Sequence, residues 1–180
     1  MHDTPIQDAM IRTDRMVMRP LRPSDAGLVS LYAGDARVAT MLEQVPHPYP
    51  PGAAEAFIRR ANTDGRGEII RALDATPSDG AELVGVVAAK EAGDGVERIG
   101  YWVGPPFWNT GLAHEAVGAL ITDRIAAGAK VLTARVFQDN PGSAKVLTDL
   151  GFAYTGETEA YSVARRVMVP SWAYRLDAEQ

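Results

Sequence analysis

Apolar residues recur along the chain with two periods, and the switches between them outline the elements. The clearest helical pattern runs from about Leu112 to Ala127, where Ala113, Ala116, Val117, Leu120, Ile121 and Arg124 fall at helical spacing and Gly128 ends the run. Arg15 to Leu21 has strand character, with Pro20 forcing an edge position or a strand end. Ser24 then reads as a helix N-cap, with Asp25 favourable in the first turn and Leu28, Val29, Leu31 and Tyr32 on the apolar side. The prolines of Val45 to Gly52 exclude regular structure, so that segment is a loop leading into a helix from about Ala53 to Ala61. Strands are expected at Glu68 to Leu73, Glu82 to Lys90 and Glu97 to Val103. The turn residues of Thr76–Gly80 and Gly93–Gly95 make these three antiparallel neighbours. A strand over Val131 to Phe137 and a helix from Pro141 to Leu150, stopped by Gly151, follow. Three short strands, at Ala153 to Gly156, Ala164 to Val169 and Ser171 to Leu176, close the chain. The order predicts a mixed α+β domain around one central sheet.

Composition narrows the class. At 180 residues the chain suits one domain, expected over 12–180, with 1–11 as a loose polar lead-in. It has no cysteine, and its three histidines (His2, His47, His114) are too scattered for a His-based metal site. A formal charge of −5 argues against a general nucleic-acid binder. It suits a cationic substrate, although a solvated acidic surface explains it as well. No apolar run is long enough to span a bilayer, and Met1-His2-Asp3-Thr4-Pro5 lacks the basic-then-apolar pattern of a signal peptide. A soluble, cytoplasmic protein without membrane partners is expected.

The segment Gly104-Pro-Pro-Phe-Trp-Asn-Thr-Gly-Leu-Ala-His-Glu-Ala116 carries the most chemistry. A strand enters a loop containing Gly111, and the loop opens into the long helix. Small residues at Gly111 and Ala113 let a ligand approach the backbone. The unpaired N–H groups of the first helical turn, with the helix dipole, make an anion site suited to a phosphate or diphosphate. The plainer reading is a strand-to-helix turn that uses Gly for tightness. No Gly-Lys-Ser/Thr ending, complete Gly-x-Gly-x-x-Gly or Gly-x-Ser-x-Gly occurs. In the second informative segment, Val136 to Phe152, Asn140 ends a strand and Ser143 falls in the first turn of the next helix. Both are expected at the same end of the sheet as Gly111, although capping alone would explain them.

These residues carry a resemblance. Trp108-Asn-Thr-Gly-Leu-Ala-His-Glu-Ala116 resembles the acetyl-CoA diphosphate loop of the GNAT N-acetyltransferase superfamily, and Trp108 in first position is similar to its RimJ/RimL-type branch. Further matches follow in order: Thr13 to Leu21 with Asp25, Pro46-His-Pro-Tyr49, Gly85, Ile99-Gly-Tyr101, Asn140-Pro-Gly-Ser143 and Leu150-Gly-Phe152. They cover residues 12 to 177. The resemblance implies a GNAT fold: one mixed, mostly antiparallel sheet of about six or seven strands with a splayed strand pair, flanked by about four helices.

It also implies acetyl-CoA as co-substrate, with no metal. The pantetheine arm would lie along the backbone of Tyr101, Trp102 and Val103, as an added strand would. The diphosphate would rest on the N–H groups of Asn109, Thr110, Gly111, Leu112, Ala113 and His114, beside Trp108. Asn140 would help hold the cofactor, and Ser143 would lie near the thioester sulfur. The implied reaction is direct attack of a neutral amine on the thioester carbonyl, in which Ser143 protonates the leaving thiolate and a carboxylate takes the amine proton. Glu97 and Glu68 are the candidate bases, Glu97 preferred for its place before Ile99-Gly-Tyr101; as exposed strand-end glutamates they would have no such role. Two positions depart from the pattern. Leu147 stands where many members place a tyrosine acid, and Arg98 where an acidic residue often precedes Ile-Gly-Tyr. Positioning a neutral amine beside the thioester would itself supply much of the acceleration.

The acceptor would be held by the early helices, the loop His47 to Pro51 and the hairpin near Tyr161 to Arg166, with Tyr49 and Tyr161 as candidate lining. The leading expectation is transfer to a protein or peptide N-terminal amine. Alternatives are a small-molecule amine (amino sugar, amino acid or polyamine) and an acyl-CoA-binding module without turnover. The late strands offer a surface for a homodimer, which no residue pattern establishes.

Overall fold

The structure, a computed structural model describing residues 10–63 and 65–179, is built on one sheet of eight strands in the order β1-β2-β3-β4-β5-β6-β8-β7. The strands are β1 (Ile11–Arg12), β2 (Val17–Arg19), β3 (Glu68–Asp74), β4 (Gly85–Glu91), β5 (Val96–Val103), β6 (Val131–Phe137), β7 (Ala153–Ser162) and β8 (Val167–Asp177). The helices are α1 (Ala26–Ala33), α2 (Ala36–Ala39), α3 (Ala53–Ala61), α4 (Leu112–Ala126) and α5 (Pro141–Asp149). Every neighbouring pair is antiparallel except β5 and β6. No helix among the described residues is long and apolar enough to cross a membrane.

Strand alternation divides the core in two. Leu73, Val87, Ala89, Ile99 and Val103 pack with Leu112, Ala116, Val117 and Leu120 of α4 and with Ala144 and Leu147 of α5. The intervening residues Ile70, Ala72 and Val86 pack with Val29 and Ala33 of α1 and Ala54, Ile58 and Ala61 of α3. Covered on both faces, β4 reads as a nearly continuous apolar run. Gly85 is dictated by close approach, since a Cβ there would run into the Trp102 carbonyl oxygen of the neighbouring strand.

The sheet has more strands than expected, and its ends differ most. Met1 to Pro5 lie outside the described residues, whereas Ile11 and Arg12 already pair with Met18 and Val17. The short α2 falls in a segment to which the sequence pattern assigns no element. Ser24 lies in a 3-10 turn, Pro23–Asp25, and the Asp25 carboxylate accepts from the Arg22 N–H at 2.7 Å instead of opening the helix. The three short strands expected at the end are two long ones. Gly156 sits at a register shift opposite β8 and does not end β7. Pro170 lies one residue past the last β6–β8 pair, Phe137 with Ser171, and its carbonyl accepts from the Gln138 N–H at 3.0 Å. Its missing donor therefore points beyond the β6 ladder, and the strand runs through it.

Candidate acyl-transfer site

Strands β5 and β6 pair only from Val96 to Arg98 with Val131 to Thr133 and then separate, while β6 stays fully paired with β8 and β5 with β4. The Gly104 N–H donates to the Val84 carbonyl at 2.8 Å, so backbone alternation turns Trp102 towards β4 and the N–H and C=O groups of Tyr101 and Val103 into the gap. The Trp108 indole N–H takes the Val103 carbonyl at 2.7 Å, folding the loop after β5 back over the strand end. A cavity of about 930 Å³ runs from this gap to the start of α4.

That end of α4 can receive an anion. Asn109 and Gly111 both adopt left-handed backbone, φ 59° and 80°, and this turns the loop sharply into the helix. The first bond of the helix is Glu115 N–H to Gly111 carbonyl. The N–H groups of Asn109 through His114 therefore have no acceptor among the described residues, and they lie at the positive end of the helix dipole. The Glu115 carboxylate, which would repel an anion there, is drawn off by the Thr13 hydroxyl at 2.7 Å and by the Arg15 N–H and Nε at 2.9 and 2.7 Å. Burial alone would raise the Glu115 carboxyl, but these partners outweigh it and hold it below the usual range. Arg15 also donates to the Thr110 carbonyl at 2.9 Å, leaving its guanidinium beside Gly111.

A second cavity of about 460 Å³ opens on the α3 side of the sheet, and it shares Met41, Leu42, Tyr101, Trp102, Asn140 and Ser143 with the first. At this junction the Tyr101 hydroxyl lies 2.7 Å from Ser143 Oγ and donates to the Ser143 carbonyl at 3.0 Å. Burial pushes the Tyr101 hydroxyl up to about 12, with the Ser143 hydrogen bond opposing. Asn140 caps α5 by accepting from the Ser143 N–H at 3.4 Å, which fixes the first turn of that helix. Around the second cavity Glu43 receives Arg98 at 2.6 Å and Arg135 at 2.7 Å, tying β5 to β6 near the point where they part. The β7–β8 turn is fastened to the same loop, with Val163 N–H on the Glu43 carbonyl and Arg165 on the Thr40 carbonyl at 2.9 and 2.7 Å. Arg165 grips both Asp139 oxygens at 2.7 and 3.0 Å, which holds the Asp139 carboxyl below its ordinary range.

Tyr101, Trp102, Val103, Trp108, Asn109, Thr110, Gly111, Leu112, Ala113, His114, Asn140 and Ser143 all line the first cavity. The two candidate carboxylates fare differently. Glu97 is a correction: its side chain is on the α4 face, where Arg124 takes both oxygens at 2.9 and 3.0 Å. It is 7% exposed and lines neither cavity. Glu68, at the start of β3, lines the second cavity and has no ion-pair partner among the described residues. The loop His47 to Pro51 and Tyr161 line neither cavity, and Tyr49 packs against the α1–α3 core. The 36–45 segment takes their place, supplying Arg37, Met41, Leu42 and Glu43. Glu43, Arg15 and the Tyr101 hydroxyl escaped the sequence reading because each acts through a partner distant in the chain. The fixed place of Arg15 two residues after Thr13 in the opening strand motif was the one available signal. No three metal-ligating side chains cluster among the described residues.

A family profile described as an acetyltransferase (GNAT) domain matches residues 15–153. No curated protein gives a significant sequence match. Among solved structures, Mycobacterium smegmatis RimJ in complex with CoA-disulfide superposes with a TM-score of 0.80 at 18% identity, over 94% of this chain and 86% of that one. The ribosomal-protein-S5-alanine acetyltransferase from Vibrio fischeri gives 0.78 at 18% identity over 96% and 98%. The microcin C7 self-immunity acetyltransferase MccE, with acetyl-CoA and AMP, gives 0.79 at 17% over 92% and 93%. These likenesses establish the fold. The profile covers most of the chain, and its span holds the parted strands and the amide-lined loop, so the chain belongs to the GNAT family of acetyltransferases.

Proposed function

We propose that this acetyltransferase moves the acetyl group of acetyl-CoA to the N-terminal amine of a protein or peptide by direct attack in a ternary complex. The observation that carries the reading is the meeting of two cavities, from opposite faces of the sheet, at Tyr101 and Ser143. The first fits coenzyme A. Its free amides at Asn109 to His114 suit the diphosphate, and the outward backbone of Tyr101 and Val103 suits the amide-rich arm. The second cavity would admit the acceptor, and it reaches the surface at exposed Arg66, Lys90 and Glu91. RimJ-type and ribosomal-protein-alanine acetyltransferases share the architecture, which supports a protein N-terminus as acceptor.

In the reaction the amine nitrogen bonds to the thioester carbon, the C–S bond breaks, and the nitrogen's surplus proton passes to the sulfur. The Ser143 hydroxyl, hydrogen-bonded to Tyr101, is the protein group placed to relay it. Glu68 is the candidate carboxylate left to take the proton that an ammonium form of the acceptor must lose before it attacks, since Glu97 is committed to Arg124.

The test is thiol release from acetyl-CoA with a panel of N-terminal peptides set against free amino acids, amino sugars and polyamines, with mass spectrometry to locate the acetyl group. Acetylation of peptide α-amines is expected. Turnover confined to the small amines would overturn the acceptor assignment, and binding of coenzyme A without turnover on any amine would overturn the activity.

A further inference from the structure

The chain is acidic, with a formal charge of −5, yet its second cavity is not. Two arginines on adjacent strands, Arg98 and Arg135, share the single carboxylate of Glu43, which leaves one positive charge in the wall nearest the junction. At the mouth Arg66 and Lys90 have no ion-pair partner among the described residues, and the Arg60 guanidinium sits over the Phe57 ring at 5.4 Å from its centre. Glu68 and Glu91 are the only acidic lining residues left to set against those three cations. The cavity thus carries a net positive charge on a protein of opposite sign.

Resting on the proposed transfer to an N-terminal amine, we infer that the acceptor is a peptide N-terminus with acidic side chains at its second to fourth residues. The spacing sets the position. Arg98 lies three residues from Tyr101 along β5, roughly 10 Å at strand rise, and an extended peptide whose amine lies at Tyr101 and Ser143 covers that distance in three residues. Acidic side chains there meet Arg98 and Arg135 first and Lys90 and Arg66 further out.

The experiment is isothermal titration of the full-length enzyme saturated with coenzyme A, using two peptides that differ only in charge, Ala-Glu-Glu-Glu-Leu-Gly and Ala-Lys-Lys-Lys-Leu-Gly. The acidic peptide is expected to bind at least about tenfold more tightly at low salt, with the margin shrinking several-fold at ~0.5 M salt. In the double variant Arg66→Glu/Lys90→Glu, two exposed positions whose exchange leaves the core intact, the preference should fall or reverse. Equal binding, tighter binding of the lysine peptide, or no binding of either would overturn the inference. Thiol release is read separately. A bound acidic peptide that is never acetylated leaves the charge preference standing and removes the acceptor reading.

Discussion

The Tyr101 hydroxyl and Ser143 Oγ lie 2.7 Å apart, joining β5 to the first turn of α5 across the gap where β5 and β6 have separated. Tyr101 is held on the α4–α5 face, and Asn140 fixes the turn that carries Ser143. Leu147, where a tyrosine acid was to be sought, is fully buried in the core one helical turn further on. With Tyr101 pushed up to about 12, its phenol stays protonated through the ordinary assay range and can keep donating to Ser143. Ser143→Ala should lower kcat about a hundredfold and Tyr101→Phe about tenfold or more, with KM for acetyl-CoA little changed. Because Tyr101 acts through Ser143, Tyr101→Phe should add almost nothing in a Ser143→Ala background. Steady-state thiol release checks this, and additive losses would show that the two do not form a relay.

Glu97 and Arg124 make the opposite case, a glutamate next to the Ile-Gly-Tyr motif that does structural work. Both side chains are about one-tenth exposed and doubly hydrogen-bonded. Removing one partner strands the other charge, so Glu97→Gln should cost about 3 kcal/mol. For a chain of this size that lowers the melting temperature by about 6–12 °C. Activity per folded molecule should survive, and the pH–rate profile should keep its shape. Replacing both residues by leucine should recover much of the stability. Calorimetric scans with active-site-normalised rates would decide, and loss of the acid limb of the profile in Glu97→Gln would restore it as a base.

Gly111 is needed for its backbone angle. At φ 80° a Cβ has room, its nearest neighbour being Arg15 Nη2 at 3.4 Å. Gly111→Ala should therefore destabilise by only about 1–2 kcal/mol through left-handed strain. The substitution should act more visibly on coenzyme A, because any relaxation of this residue re-aims the free amides on either side of it. Titration calorimetry with coenzyme A should show weaker binding than the small loss of melting temperature alone would suggest. Unchanged affinity would mean that the diphosphate rests elsewhere.

How far the sequence could be read depends on how local each feature is. The amide-lined loop is made by residues 104 to 116, and its Gly, Ala and helix-start signals lie side by side, so its seven expected cofactor positions, Trp108 to His114, are legible together; they line one cavity with the other five, Tyr101, Trp102, Val103, Asn140 and Ser143. The strands β3 to β5 and helices α3 to α5 were legible for the same reason, since period and turn chemistry are short-range. Side-chain pairings were not. Glu43 meets Arg98 and Arg135 from 55 and 92 residues away, and Tyr101 meets Ser143 from 42. Strand alternation puts Glu97 on the α4 face, but nothing in the pattern shows that Arg124 waits there. The last strands were misread because Pro170 and Gly156 are usual strand breakers. Here one falls past the end of a ladder and the other at a register shift.

Acid should test the join between β2 and β3. Arg19, 2% exposed, donates to Asp25 through both terminal nitrogens at 2.8 and 2.9 Å and to Asp74 through Nε at 2.8 Å. It also reaches the carbonyls of Pro20 and Glu82, so every face of the guanidinium is bonded. Burial by itself would raise the Asp74 carboxyl, but hydrogen bonds from Thr76 and Arg19 outweigh it, and the folded-state value lies below the ordinary one. A carboxyl depressed in the folded state contributes stability that is complete above its unfolded value, about 3.9, and is lost as pH falls through the lower folded value. The melting temperature should accordingly hold steady from neutral pH to about 5 and drop below about 4. Asp74→Asn should be less stable near neutrality, by about 1–3 kcal/mol, since Arg19 loses one charged hydrogen bond but keeps Asp25, and its curve should flatten through the acid range. A variant whose melting temperature falls with acid as steeply as the parent's would place the acid-sensitive group elsewhere in the fold.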